Sequence, residues 1–176
     1  MQHKIIFMGT PQFSVSSLEI LVKSPYKISC VYTQPPKESK RGYKLNSSPV
    51  QKSAEHLNLA VRNPSSLKND EEFDYFKNLN PDIVVVVAYG QLIPKSFLDI
   101  PKYGFVNIHA SLLPKWRGAA PIERAIMNLD KETGVSIMRI TEKLDFGPVM
   151  KKIKIDITSY DTCLLYTSPS PRDKRQ

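Results

Sequence analysis

Apolar and polar positions along the chain follow two spacings, and each spacing predicts one kind of secondary structure. Short runs of alternating or β-branched apolar residues predict strands, and apolar residues three or four positions apart predict helices. The continuous run at 83–88 (IVVVVA) is typical of a central strand in a parallel sheet, because both faces of such a strand are buried. The predicted strands span 4–9, 26–33, 83–88 and 105–109, and the predicted helices span 12–23, 48–59, 69–79 and 119–129.

The order of these elements predicts the fold class. A chain in which strands and helices alternate forms a parallel sheet with helices packed on its faces. After residue 130 the pattern changes, because 134–141 and 149–157 both alternate and the turn-rich segment 142–148 connects them. Two alternating runs joined by a short turn predict an antiparallel hairpin. We therefore predict an α/β fold with a doubly wound, mostly parallel sheet and a C-terminal antiparallel hairpin.

The segment 163–176 differs in composition from the rest of the chain. It is rich in serine and proline, then charged, and it has no apolar periodicity. Such a composition is typical of a disordered tail or of sequence foreign to the folded domain. We therefore expect one domain over residues 1–162, and a natural chain that continues differently after about Thr162.

Candidate chemistry lies at the end of the strand predicted at 105–109. Asn107 and His109 are two positions apart, so on a strand both side chains project from the same face. The end of a strand that is followed by a loop and a helix is where an open α/β sheet binds its ligand. A pair of polar residues at a strand end is also common as a purely structural feature, and this pair alone does not decide between the two interpretations.

A long basic segment follows the second predicted strand. Residues 34–49 contain three prolines and several basic side chains, among them Lys40, Arg41 and Lys44. Loops of this length in compact domains are usually functional or disordered. The basic side chains either contact phosphates, with Tyr43 packing on a base or sugar, or form a solvated surface loop, and both interpretations stay open.

Charge and composition narrow the classes of function. The net charge of +8 favours an anionic partner such as nucleic acid, but it also fits simple solubility. Two cysteines make no disulfide framework and suit a reducing cytosol. Three scattered histidines, without CxxC or HExxH, predict no metal site. No apolar run is long enough to span a membrane, and the N-terminus does not resemble a signal peptide.

The turn at 9–11 (GTP) follows the first predicted strand but does not carry a nucleotide-binding motif. It matches neither GxGxxG nor a phosphate loop that ends in Lys-Ser/Thr. A tight structural turn is therefore the favoured interpretation, and a nucleotide-dependent dehydrogenase is disfavoured.

Four segments together resemble a known family. They are 7–13 (FMGTPQF), 88–94 (AYGQLIP), 107–122 (NIHASLLPKWRGAAPI) and 144–148 (LDFGP). In order and separation they are similar to the folate-dependent formyltransferases, and most similar to the catalytic domain of the members that formylate methionyl-tRNA. The resemblance covers roughly residues 1–160 and implies a Rossmann-like formyltransferase fold. The second, tRNA-binding domain of those members has no counterpart in this sequence.

The resemblance also implies roles for individual residues. Asn107, His109 and Asp145 match the catalytic trio of the family, although an aspartate in this sequence context is also a common turn residue. Arg41, with Lys40 and Lys44, matches the loop that holds the tRNA acceptor end. The residues implied in folate binding are Ser111, Leu112, Leu113 and Pro114, and we expect Tyr89, Gly90 and Gln91 to line the same pocket through main-chain groups.

The activity implied is formyl transfer from 10-formyltetrahydrofolate to the α-amino group of methionine on initiator tRNA, for translation initiation. In this chemistry Asn107 and protonated His109 would donate to the tetrahedral oxyanion. Asp145 would orient His109 and relay protons. Either His109 or Asp145 could take the proton from the amine. We expect a monomer without a metal, in the bacterial cytoplasm or an organellar matrix.

Two other functions stay open. The chain could be another folate-dependent formyltransferase or hydrolase, acting on a different amine or on a sugar nucleotide. It could also be a non-catalytic, truncated fragment that binds RNA, because the second domain of the family is missing.

Overall fold

The structure, a computed structural model, describes residues 2–38, 45–158 and 161–162. The chain divides into two compact units, one up to Phe105 and one from Val106 onward, and each is described by itself.

The first unit contains the parallel strands of the fold. Its strands are β1 (Lys4–Gly9), β2 (Lys27–Tyr32), β3 (Lys37–Glu38), β4 (Leu45–Asn46), β5 (Val61–Arg62) and β6 (Ile83–Val87), and its helices are α1 (Gln12–Val22), α2 (Pro49–His56), α3 (Asp70–Asn78) and α4 (Lys95–Leu98). Four of these strands pair in the order β5-β2-β1-β6, all parallel. Strand β1 lies between β2 and β6, and its residues from Ile5 to Met8 are buried.

Helix ends in this unit follow from local hydrogen bonds. The Ser48 hydroxyl accepts from the Gln51 N–H at 2.9 Å, so Ser48 is the N-cap of α2. The Asn69 side chain accepts from the Glu72 N–H at 2.8 Å in the same way at the start of α3. Helix α2 ends at His56, three residues before the end predicted from apolar spacing, because Asn58 takes a positive φ of 54°.

The described part of the basic segment 34–49 contains two short strands. Strands β3 and β4 pair antiparallel within it, with Lys37 opposite Asn46. The prediction of a loop over the whole segment is therefore wrong. Residues 39–44, which include Lys40, Arg41 and Lys44, lie outside the described part of the chain.

The second unit is antiparallel. Its strands are β7 (Phe105–His109), β8 (Glu132–Arg139) and β9 (Val149–Asp156), and its helix is α5 (Pro121–Met127). The β8–β9 hairpin confirms the predicted one, and Pro121 lies in the first turn of α5 as predicted. Strand β7 also pairs antiparallel with β8, a direction for which no prediction was made from the sequence. The α/β class, with parallel strands followed by a C-terminal antiparallel hairpin, is confirmed.

Every helix in the described ranges is too short or too polar to cross a bilayer.

A partly buried ion pair connects the edge strand β5 to helix α3. The guanidinium of Arg62 donates to both carboxylate oxygens of Glu72, at 2.5 and 3.2 Å. The hydroxyl of Tyr32 donates to the same carboxylate at 2.7 Å. Glu72 is only 2% exposed, so these bonds replace the water that its charge loses on folding. Nearby, burial raises the pKa of the Cys30 thiol to about 11, so this thiol is a poor nucleophile.

We expect Glu72→Ala to lower the free energy of unfolding by about 3 kcal/mol, because it leaves Arg62 and the Tyr32 hydroxyl without their buried acceptor. Urea denaturation of the full chain measures this change. The matched control is Glu55→Ala, whose exposed carboxylate accepts from the side chain of Gln51. Equal effects of the two variants would show that the buried pair contributes no more than a surface contact.

Candidate active site

Strand β7 presents Asn107 and His109 on one face, as the period of two predicts. In the antiparallel ladder Asn107 lies opposite Met138 and His109 lies opposite Ser136 on β8. The ring of His109 is almost completely buried. A polar ring in this position needs partners for its nitrogens, and the loops around the end of β7 provide them.

Asp145, in the connection between β8 and β9, joins these two side chains. Its Oδ1 accepts from the Asn107 amide at 3.3 Å, and its Oδ2 accepts from the main-chain N–H of Gly118 at 2.8 Å. The same Oδ2 lies 3.8 Å from Nδ1 of His109. The structure therefore brings the three predicted residues Asn107, His109 and Asp145 together in one unit.

The second ring nitrogen of His109 has a different partner. Nε2 lies 2.9 Å from the main-chain oxygen of Trp116. A carbonyl oxygen only accepts hydrogen bonds, so Nε2 carries the proton and donates it. Nδ1 is therefore the nitrogen that faces Asp145. It holds a lone pair in the neutral ring and an N–H in the imidazolium.

The turn that carries Asp145 is held from two sides. Arg117 donates from Nε to the main-chain oxygen of Asp145 at 2.9 Å, and its guanidinium lies 3.7 Å from the centre of the Phe146 ring. On the other side, a Cβ at Gly147 would lie 1.8 Å from the main-chain oxygen of Arg139. Only glycine permits this approach, so the turn packs directly against β8.

The segment Ser111–Pro114 is held by hydroxyl groups and one lysine. Ser136 on β8 donates to the main-chain oxygen of Ser111 at 2.6 Å and accepts from the Leu113 N–H at 3.0 Å. The Ser111 hydroxyl donates to the Lys115 oxygen at 2.6 Å, and Lys152 on β9 donates to the Leu113 oxygen at 2.5 Å. Main-chain groups at both Ser111 and Leu113 are thus engaged within the protein.

Asp130, just beyond the end of α5, accepts hydrogen bonds from three side chains. Lys115 Nζ and the Asn128 amide each lie 2.7 Å from its Oδ1, and the Trp116 indole N–H donates to its Oδ2 at 2.7 Å. The hydrogen bond from Lys115 is the main cause that lowers the pKa of Asp130 to about 2, and the bonds from Asn128 and Trp116 act in the same direction. The side chain of Asp130 is 6% exposed.

The other predicted folate-binding residues belong to the first unit. The side chain of Tyr89 is buried. The Gly90 oxygen accepts from the Gln34 amide at 2.8 Å, and the Gln91 amide donates to the Pro64 oxygen at 2.9 Å. The main-chain oxygen of Gly90 thus already has a partner within the protein, whereas Gln91 is held through its side chain.

Two further expectations concern charged groups. The residues predicted to contact tRNA, Lys40, Arg41 and Lys44, lie outside the described residues. Within the described ranges no group of three or more His, Cys, Asp or Glu side chains could hold a metal ion.

Sequence reasoning missed several groups around His109. It left Trp116 and Arg117 without a role, and it did not single out Gly118, Asp130 or Ser136. Trp116 and Gly118 contribute main-chain atoms, which no side-chain pattern marks. Asp130 carries one usable signal, because an aspartate three residues after a helix end often caps local main-chain groups. In this fold it binds side chains instead.

Comparison with known proteins places these residues in a family. A protein-family model described as formyl transferase matches residues 3–168. A methionyl-tRNA formyltransferase from Pelagibacter ubique is 59% identical over 162 residues, which are 92% of this chain and 52% of the relative. One from Mesorhizobium japonicum is 54% identical over 156 residues, 87% of this chain and 49% of the relative. The chain spans about half the length of the curated relatives it matches.

Solved structures show the same fold at lower identity. A phosphoribosylglycinamide formyltransferase from Bacillus halodurans matches with a TM-score of 0.74 at 22% identity, over 91% of this chain and 83% of that one. A formyltetrahydrofolate deformylase from Pseudomonas syringae matches with a TM-score of 0.71 at 20% identity, over 93% of this chain and 54% of that one.

The lowered pKa of Asp130 predicts an acid dependence of stability. A carboxylate whose pKa is lower in the folded than in the unfolded chain stabilises the fold above the unfolded pKa of about 3.9, and this contribution is lost as the pH falls through about 2. We expect the urea midpoint of the full chain to fall between pH 4 and pH 2 more steeply than that of Asp130→Asn. Parallel curves for the two proteins would contradict the prediction.

Proposed function

Because the chain belongs to the formyl transferase family, we propose that residues 1–162 form the catalytic domain of an enzyme that formylates the α-amino group of methionine on initiator tRNA. The formyl donor in this proposal is 10-formyltetrahydrofolate. The observation that carries it is the meeting of an amide, an imidazole and a carboxylate at the end of β7. The acceptor is proposed from relatives of 50–59% identity that are methionyl-tRNA formyltransferases.

The reaction needs donors for a developing oxyanion more than it needs a strong base. The pKa of an α-amino group is roughly 8, so a sizeable fraction is neutral near neutral pH. When its nitrogen bonds to the formyl carbon, the carbonyl electron pair moves onto the oxygen. When the bond to N10 breaks, N10 gains a proton and the amine loses one, so the overall step releases no proton.

Asn107 and His109 are suited to stabilise the oxyanion. The Asn107 amide uses one N–H on Asp145, which leaves its second N–H for the substrate. In protonated His109, Nε2–H is bonded to the main-chain oxygen of Trp116, so Nδ1–H is the donor available to the reaction. The Asp145 carboxylate, 3.8 Å from Nδ1, attracts this positive charge and fixes the ring. Either His109 or Asp145 accepts the proton from the amine.

The residues present fit a folate as formyl donor, which supplies the one-carbon group when bound. Leu112 is half-buried and Pro114 is exposed, so both can contact an aromatic ligand, while Ser111 and Leu113 keep the loop in shape. A pterin ring needs paired donors and acceptors, which main-chain groups provide. We assign the hydrogen bonds to the pterin ring to the main chain of the segment 89–91.

The tRNA contacts proposed here rest on the basic segment. Lys40, Arg41 and Lys44 would contact phosphates of the acceptor end, which agrees with the net charge of +8. A monomeric enzyme in the bacterial cytoplasm or an organellar matrix completes the proposal. Identities of 50–59% to methionyl-tRNA formyltransferases favour tRNA over a small amine or sugar nucleotide as acceptor.

We expect formyl transfer to charged initiator tRNA to fall at least about 100-fold in His109→Ala, because the oxyanion loses one of its two side-chain donors. The assay compares the full chain, this variant and the control His56→Ala, whose ring is exposed at the end of α2. Transfer by His109→Ala at the rate of the control would overturn the proposed role of the imidazole.

The transfer assay, together with two binding measurements, separates the other two functions. Transfer to a small amine or a sugar nucleotide, but not to tRNA, would support a different acceptor. A chain that binds RNA by gel shift but does not bind the folate by calorimetry would be a non-catalytic RNA-binding fragment.

A further inference from the structure

We propose that Asp130 is a positioning residue that fixes the orientation and protonation pattern of His109, and that it acts through Trp116. The proposal rests on the proposed function only in its kinetic part. The tautomer of His109 follows from the structure alone and is measurable without any substrate.

The carboxylate of Asp130 accepts three hydrogen bonds. It receives the indole N–H of Trp116, the ammonium of Lys115 and the amide of Asn128, all at 2.7 Å. The side chain is almost fully buried, whereas that of Lys115 is about half exposed. Asp130 lies at one end of a chain of contacts, and none of these contacts is with His109 itself.

The backbone of Trp116 has an unusual conformation. This residue has a φ of +58°, in the left-handed region that a bulky side chain rarely adopts. Such a conformation persists only where surrounding contacts hold it. The hydrogen bond from its indole to Asp130 is one such contact, at the tip of the side chain. Release of the indole would let Trp116 return to an ordinary φ, and its carbonyl would then turn.

The carbonyl of Trp116 contacts the imidazole of His109. The Trp116 oxygen accepts from Nε2 of His109 at 2.9 Å and thereby requires the proton to be on Nε2 in the neutral ring. A carbonyl that turns away removes this requirement. The neutral ring then populates both tautomers, and Nδ1 is no longer directed consistently towards Asp145.

The test uses the full chain labelled with ¹⁵N, four variants of it, and His109→Gln as a fifth for resonance assignment. Asp130→Asn keeps the shape of the side chain but removes its negative charge. Trp116→Phe keeps an aromatic ring but removes the indole N–H. Asp130→Glu restores the carboxylate. The control Glu132→Gln removes an exposed carboxylate on β8 that pairs with Lys154 at 3.0 Å. Long-range ¹H–¹⁵N spectra give the two ring nitrogens of His109, which are assigned by their loss in His109→Gln.

We expect the neutral ring of the unmodified chain to show one protonated nitrogen, Nε2, and one unprotonated nitrogen, Nδ1. In Asp130→Asn and in Trp116→Phe the two resonances should move towards each other, because both tautomers become populated. Asp130→Glu should move them part of the way back, and Glu132→Gln should leave them unchanged. Unshifted resonances in both folded variants, Asp130→Asn and Trp116→Phe, would overturn the proposal.

Kinetics give a second readout. With charged initiator tRNA we expect kcat to fall on the order of 10- to 100-fold in Asp130→Asn, because a misplaced catalytic group slows the chemical step. KM should change less than about twofold, because neither the Asp130 nor the Trp116 side chain is assigned to substrate binding. The double variant with Trp116→Phe should be no slower than the slower single variant. Additive losses would show that Asp130 does not act through Trp116.

The two readouts separate the two proposals. Shifted nitrogen resonances in a chain without formyl transfer would support the positioning role and count against the proposed function. Normal transfer by Asp130→Asn with unshifted resonances would support the function and refute the positioning role.

Discussion

The carboxylate of Asp145 is the group on which the arrangement at the end of β7 depends. It receives the amide of Asn107 and the main-chain N–H of Gly118, and it faces the ring of His109. Asp145 itself has a φ of +50°, a conformation that aspartate tolerates better than most residues. The two interpretations of Asp145, as a turn residue and as a reacting group, are therefore compatible, because the turn is what presents the carboxylate.

Periodicity predicted the large elements well and the small ones poorly. The strand β1 and the hairpin β8–β9 have clear patterns, and both were placed within two residues of their ends. Strands β3 and β4 have two residues each, which is too short for any period to show. The direction in which β7 pairs was also not predictable, because alternation reports which face is buried but not which way a neighbouring strand runs.

The residues of the candidate site also differ in how well the sequence predicts them. Asn107 and His109 follow from the period of a strand, and Asp145 came from the family resemblance. Gly118 and Trp116 act through main-chain atoms, so their residue types alone give no signal. Asp130 accepts from Trp116, 14 positions away in the chain, and Ser136 binds main-chain groups 23 and 25 positions away, and such pairings depend on the folded topology.

The dependence on distant segments also sets the time at which the site forms during synthesis. A ribosome that has released the chain up to Met127 has made the ring of His109 but neither of the aspartates around it. The support of the segment Ser111–Pro114 is completed later still, when β9 emerges, because Lys152 on β9 donates to the Leu113 oxygen and Gly134 on β8 packs against the main chain of Ile153. A domain released N-terminus first therefore completes its parallel strands early, and it acquires the arrangement around His109 only near its end.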